Sequence, residues 1–225
     1  SGEFIKRYKR FFVDVKINNK IITAHCPNTG SMMGLLSANN KVWLSKSENP
    51  ERKLKYTLQI IENKKSMVGV NTHLTNKIVL EALEENSIKE LKNLDNIKSE
   101  VKFGKNTRFD FLISKNNKKI FVEVKNVTLS RKKGVAEFPD AVTARGFKHI
   151  NELINASKRG FETYLLFLIQ RNDCNQFKIA QDIDPDYYKL LTEAAKKKLN
   201  IICYDCKFSP KGIKLNKNIK LKLNE

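Results

Sequence analysis

The sequence predicts a two-domain α+β chain, a small β-barrel followed by an α/β layer domain, and three observations predict it. Short strands separated by turns run from Phe11 to Val70. Helical periodicity then alternates with apolar strands to the end of the chain. The change falls near residues 71–78 without a Gly/Ser-rich linker, so the two domains are expected to pack closely, with the first over 1–74 and the second over 75–225. At 225 residues and 40% apolar content the chain can fill two cores, and its apolar segments recur too regularly for disorder despite 30% charged residues. No apolar run approaches the ~20 residues that span a bilayer, which sets membrane partners aside. Four cysteines are too few for a disulfide framework and point to a soluble protein of a reducing compartment.

In the first domain Phe11–Ile17 is followed by the turn candidate Asn18-Asn19 and a strand at Ile21–Ala24, while Ser1–Phe4 is set aside from the fold reasoning. Pro27-Asn28-Thr29-Gly30 is a turn, with Gly30 able to take positive φ. Strands at Val42–Ser45, Tyr56–Ile61 and Met67–Val70 complete a barrel of the OB type. Trp43 is assigned to the core because Val42 and Leu44 flank it. In the second domain Asn76 is a candidate cap for a helix carrying Ile78, Val79, Ala82 and Leu83. Strands follow at Glu100–Phe103, Phe109–Ile113 and Ile120–Val127, with Asn116-Asn117 as a hairpin turn. A helix over Asp140–Lys158, an apolar strand at Tyr164–Ile169, a helix opened by Asp184-Pro185 and a strand at Ile201–Tyr204 come next. The lysine-rich tail alternates at strand period around Ile213–Leu215 and Ile219–Leu223, as an edge strand would.

The formal charge of +19 implies a polyanionic partner, most often nucleic acid. Lysine outnumbers arginine 35 to 8, so composition bias accounts for part of it, and the arginines carry more information because the guanidinium is the better fork for phosphate.

The chemistry concentrates in Asp110 and in Phe121-Val122-Glu123-Val124-Lys125. On a strand, Glu123 and Lys125 share one face and Val122 and Val124 the other. A hairpin between 109–113 and 120–127 brings Asp110 near Glu123. Two carboxylates and an amine beside a core strand are costly unless something binds them, and Mg²⁺ (or Mn²⁺) does so with oxygen ligands and water. Such a site suits phosphodiester hydrolysis, with Lys125 orienting or deprotonating water or neutralising developing charge. On a helical wheel Arg145 and Lys148 lie opposite Val142, Gly146, Ile150 and Leu153, with His149 at the border, so Arg145 and Lys148 can clamp a phosphate.

The Asp…Glu-x-Lys pattern and the order helix, three strands, helix, strand resemble the PD-(D/E)xK nucleases. Longer blocks are similar to the sugar fermentation stimulation protein A family: Tyr8–Phe11, His25–Met32, Arg52-Lys53, Thr107–Asp110, Val122–Leu129 and Phe138–His149. That resemblance implies an N-terminal OB-fold domain, a C-terminal nuclease-like domain and DNA binding, in a cytoplasmic, nucleoid-associated prokaryotic protein. The nuclease motif falls on Asp110, Glu123 and Lys125, with Glu100 or Glu81 as a further metal carboxylate. Arg7, Arg10, Arg52, Lys53 and Arg108 fall in or beside the matched blocks as nucleic-acid contacts. His25, Asn28 and Ser31 share a turn that either meets phosphate or contacts the second domain. Cys203-Tyr204-Asp205-Cys206 lacks a second cysteine pair and reads as structural. The resulting expectation is a DNA-binding protein with a Mg²⁺-dependent nuclease site; a non-catalytic DNA-binding regulator is the alternative.

Overall fold

The computed structural model describes residues 1–104 and 107–223. The first six strands are β1 (Gly2–Tyr8), β2 (Phe12–Ile17), β3 (Lys20–His25), β4 (Lys41–Lys46), β5 (Tyr56–Asn63) and β6 (Ser66–Gly69). They form a sheet in the order β3-β2-β1-β4-β5-β6, which closes on itself where His25 of β3 pairs with Thr57 of β5. The closed part is a five-strand OB barrel. Its tight turns, Lys9-Arg10, Asn18-Asn19 and Lys64-Lys65, place both central residues at positive φ. That geometry matches the twist of a two-residue hairpin and explains why asparagine suits the second of them.

Strand alternation sends Val13, Val15, Ala24, Val42, Leu58 and Ile61 inward, where they meet Phe4. The opening residues therefore belong to the barrel: β1 begins at Gly2, and Phe4 is 1% exposed. Trp43 is half-buried outside this core, with the Lys41 ammonium 5.0 Å from its ring. Its neighbours Val42 and Leu44 misled because alternation, not flanking hydrophobicity, sets the inward positions.

The second domain opens with a 3₁₀ turn (Thr72–Leu74) and α1 (Thr75–Glu84), followed by β7 (Asn96–Phe103), β8 (Thr107–Lys115) and β9 (Lys118–Val127). Next are β10 (Leu129–Lys132), β11 (Val135–Phe138), α2 (Ala144–Lys158), β12 (Glu162–Ile169) and β13 (Gln176–Ile179). The chain ends with α3 (Pro185–Lys196), β14 (Asn200–Ser209), β15 (Gly212–Asn218) and β16 (Lys220–Lys222). The main sheet runs β15-β14-β12-β9-β8-β7, parallel at β9, β12 and β14. Buried residues of α1 pack with one face of it; those of α2 and α3 pack with the other. The lysine-rich β15 is its outer strand, as the tail's alternation predicts. Of the small sheet β10-β11-β13-β16 only β16 was legible, within the alternating stretch Ile219–Leu223; the other three strands have four residues each and left no pattern.

Two expected caps are corrected. Thr143, not Asp140, caps α2, accepting from Gly146 N at 3.0 Å, and Val142 lies outside the helix at 76% exposure. Asn76 lies inside α1, with its amide engaged elsewhere. Asp184 does cap α3: Tyr187 N donates to it at 3.0 Å. All four cysteines are free and buried, with Cys203 and Cys206 in opposite cores.

The domains are tied together at several points. Gly69 N donates to Gln170 O at 2.9 Å, Met67 N to Asn172 Oδ1 at 2.9 Å and Thr72 Oγ1 to Pro27 O at 2.6 Å. Ser31 N donates to Asp140 Oδ2 at 3.0 Å. Gly30 is required here for close approach and not for positive φ: a Cβ would stand 2.7 Å from the Asp140 carboxylate.

Candidate active site

Asp110 lies where β7 and β8 change phase. Ser99 pairs with Phe111 and Val101 with Phe109, which sets Glu100 opposite Asp110. Strict alternation would put Phe109 and Phe111 on one face, yet Phe109 packs with α2 and α3 and Phe111 with α1. Glu100 takes a left-handed φ of 56° at this point. A bulge-like kink of this kind re-aims a side chain, and non-glycine residues hold such φ values only where the surroundings enforce them.

The freed Asp110 carboxylate accepts from Val124 N through Oδ2 and from the Asn76 amide through Oδ1, both at 2.7 Å. Burial, and next the charge of Glu123, push its pKa up to about 6 in spite of these bonds. Asn76 is a site residue that the sequence reading took for a cap; its signal was a polar side chain at the start of an otherwise apolar helix face.

Glu123 projects from β9 toward α2 and is 2% exposed. Its Oε1 accepts from Lys125 Nζ at 2.8 Å and makes a short contact with His149 Nδ1. Lys125 Nζ also lies 3.2 Å from His149 Nδ1. Burial alone would raise the Glu123 pKa, but His149 and Lys125 outweigh it and hold the carboxyl below its usual range. Its other oxygen, Oε2, is buried and has no hydrogen-bond partner among the described residues. An unmatched carboxylate oxygen in a buried site is expensive unless a ligand meets it.

A cavity of about 620 Å³ opens over this group, lined by Glu100, Thr107, Arg108, Asp110, Ala144, Arg145, Lys148 and His149. Arg145 Nε approaches His149 Nε2 at 3.5 Å. The first turn of the fifteen-residue α2 forms one wall, and a helix N-terminus favours anions. The structure thus gathers Asp110, Glu123, Lys125, Glu100, Arg108, Arg145, Lys148 and His149 in or around one cleft. Arg108 and Glu100 form an exposed pair at 3.6 Å, which leaves both adaptable.

Other expected residues are occupied elsewhere. Glu81 pairs with Lys214 of β15 at 2.9 Å and does not line the cavity, because its helix position faces the edge strand. Arg7 donates to the carbonyls of Arg10, Asn28 and Gly30, so three of its five N–H groups are engaged by backbone. Asn28 is buried and accepts from Gly30 N at 2.9 Å, while Ser31 is bonded to Asp140. That turn is a domain contact. Arg10 and Lys53 are exposed, and Arg52 donates to Thr57 Oγ1 at 2.8 Å beside His25.

Barrel and cleft together define a two-domain protein, an OB barrel joined to an α/β domain that carries a buried carboxylate cleft. The chain belongs to the sugar fermentation stimulation protein family: residues 5–70 match the SfsA N-terminal OB domain and residues 73–212 the sugar fermentation stimulation protein RE domain. A sugar fermentation stimulation protein homolog of Pelagibacter ubique is 58% identical over 98% of this chain and 95% of its own length. A homolog of Maricaulis maris is 41% identical over 100% and 96%. The structure of Pyrococcus furiosus SfsA in complex with Ca²⁺ superposes with a TM-score of 0.89 at 26% identity, covering 98% of this chain and 94% of that one.

Proposed function

We propose that this protein binds DNA and hydrolyses phosphodiester bonds with a divalent cation, Mg²⁺ or Mn²⁺, held by Asp110 and Glu123. The observation that carries the reading is the buried, unpartnered Glu123 Oε2 beside an Asp110 whose pKa is raised to about 6. A cation there would satisfy the one and bring the pKa of the other back down. The donor set fits a hard ion, because Asp110 and Glu123 offer it only carboxylate oxygens. Mg²⁺ commonly uses one or two carboxylates and retains water. The Ca²⁺ in the Pyrococcus furiosus relative supports the same preference.

A bound cation would supply Lewis acidity to the phosphodiester and acidify a bound water. The chain's own residues do the rest. Lys125 and His149 fix Glu123 by its Oε1 and leave Oε2 without a hydrogen bond, available to a cation. Lys125, as an ammonium donating to Glu123, is suited to orienting water and offsetting charge that develops on phosphate. Asn76 and Val124 N fix Asp110 in place. Arg145 and Lys148, with Arg108 across the cavity, hold the phosphate backbone against this group.

The test is incubation of labelled single- and double-stranded DNA and RNA with Mg²⁺, Mn²⁺ or Ca²⁺. Cleavage that requires Mg²⁺ or Mn²⁺ and disappears in Asp110→Asn is expected. If every substrate stays intact while DNA is bound, the catalytic half of the proposal fails and a DNA-binding regulator is left.

A further inference from the structure

Four rings lie along the outside of the barrel in two contacting pairs, which strand register sets side by side, and the second pair crosses the seam to the turn that leads into α1. Tyr8 and Phe12 stack with centroids 5.5 Å apart and planes 14° apart. Phe12 is paired directly with Tyr8 on one side and His25 on the other, so the three side chains share the outer face while Val13 and Ala24 point inward. The His25 ring lies 6.5 Å from that of His73, in the 3₁₀ turn that leads into α1. Three residues on, Asn76 donates to Asp110. None of the four rings is buried, and His73 is exposed.

We propose that Tyr8, Phe12, His25 and His73 form a stacking track for the bases of a single-stranded nucleic acid, which leads its backbone across the domain seam to the Asp110–Glu123 cleft. The inference deepens the function proposed above and rests on it for the identity of the cleft. Sequence-tolerant single-strand binding combines aromatic faces with cations that follow the backbone. The cations are in place: Lys6 Nζ lies 5.6 Å from the Tyr8 ring, and Arg52 is anchored on Thr57, the residue that pairs with His25 at the barrel closure. The track is also prearranged, because the Tyr8 hydroxyl donates to Asp14 at 3.2 Å and Thr23 donates to the same oxygen at 2.8 Å. Burial, then Arg52 and His73, lower the His25 pKa, so near neutral pH it presents an uncharged ring. A duplex keeps its base faces stacked inside and has nothing to offer such a row.

Fluorescence anisotropy with a labelled 15-nucleotide single strand, as DNA and as RNA, and with the matching duplex tests this. It is run in a Glu123→Gln background so that no strand is cut. Phe12→Leu keeps the bulk and removes the ring; it should weaken single-strand binding about tenfold, Phe12→Tyr should stay within about twofold, and His73→Ala should cost severalfold. Duplex affinity should not move in any of them, and thermal midpoints should stay near that of the parent. Single-strand affinity unchanged in Phe12→Leu, or an equal loss for the duplex, would overturn the track. Cleavage by wild type is scored separately: ring-dependent binding without cleavage sinks the nuclease proposal alone, and cleavage without ring dependence sinks the track alone.

Discussion

Glu123 and Glu137 are both 2% exposed, both held below the usual carboxylate range, and built to different ends. Glu137 on β11 is satisfied at both oxygens. Arg131 donates to Oε1 and Oε2 at 2.9 Å, its backbone N adds a bond at 3.0 Å, and Lys178 stands 3.4 Å away. The same Arg131 bridges to Asp182, which closes the network. Glu123 has all its partners on one oxygen and a second carboxyl group beside it. A buried carboxylate that serves the fold completes its bonding within the fold. Under the proposed function, the unspent oxygen of Glu123 is the one that meets the cation.

The sharpest break between the two comes from neutral, isosteric changes. Asp110→Asn and Glu123→Gln should each lower metal-dependent cleavage about a thousandfold or more, the scale of losing a metal's charge stabilisation; Asp110→Asn should not lower the thermal midpoint, while Glu123→Gln, which leaves Lys125 without its buried counter-charge, should lower it modestly. Retained cleavage in either would remove that carboxylate from the site. Glu137→Ala should do the reverse. Loss of a buried partner, discounted because Arg131 is a third exposed, should destabilise by about 2–3 kcal/mol in urea unfolding and leave the cleavage rate near wild type at low temperature.

Acid titration sharpens the contrast further. The raised pKa of Asp110 means that the folded, metal-free protein binds this proton more tightly than the unfolded chain. The stability it contributes is full below about pH 3.8 and is lost as pH rises through about 6. Glu123, with a lowered pKa, acts in the opposite sense and below its ordinary 4.5. Between pH 4.5 and 6, wild type should therefore lose on the order of 1–2 kcal/mol relative to Asp110→Asn. Parallel stability curves for the two would contradict this. The smallest effect is expected at the rim. Arg145→Ala should weaken DNA binding severalfold and reduce the slope of log K against log salt by about 1, without altering metal affinity.

The elements that the sequence disclosed were those with strong local periodicity: the barrel strands, the Glu123–Lys125 strand, the capped α3 and the edge strand in the lysine-rich tail. The parts it hid depend on long-range partners. Arg7 reads as a cation for phosphate until the turn at 28–31 folds back over it. Glu81 reads as a candidate ligand until β15 arrives beside α1. Asn76 reads as a helix cap until β8 kinks and brings Asp110 within 2.7 Å of its amide. That kink itself is invisible to strand alternation, because Glu100 must take a left-handed φ that side-chain pattern does not encode. The four-ring row was half legible: Phe12 and His25 stand in the sequence, but only strand register sets them side by side.

The central claim is that Asp110 and Glu123 jointly hold a divalent cation, and calorimetric titration of wild type and Glu123→Gln with Mn²⁺ tests it most directly. One site per chain in wild type, weakened about a hundredfold or more in the variant, is the result this account predicts. Equal affinity in the two proteins, or no binding by wild type, would contradict it.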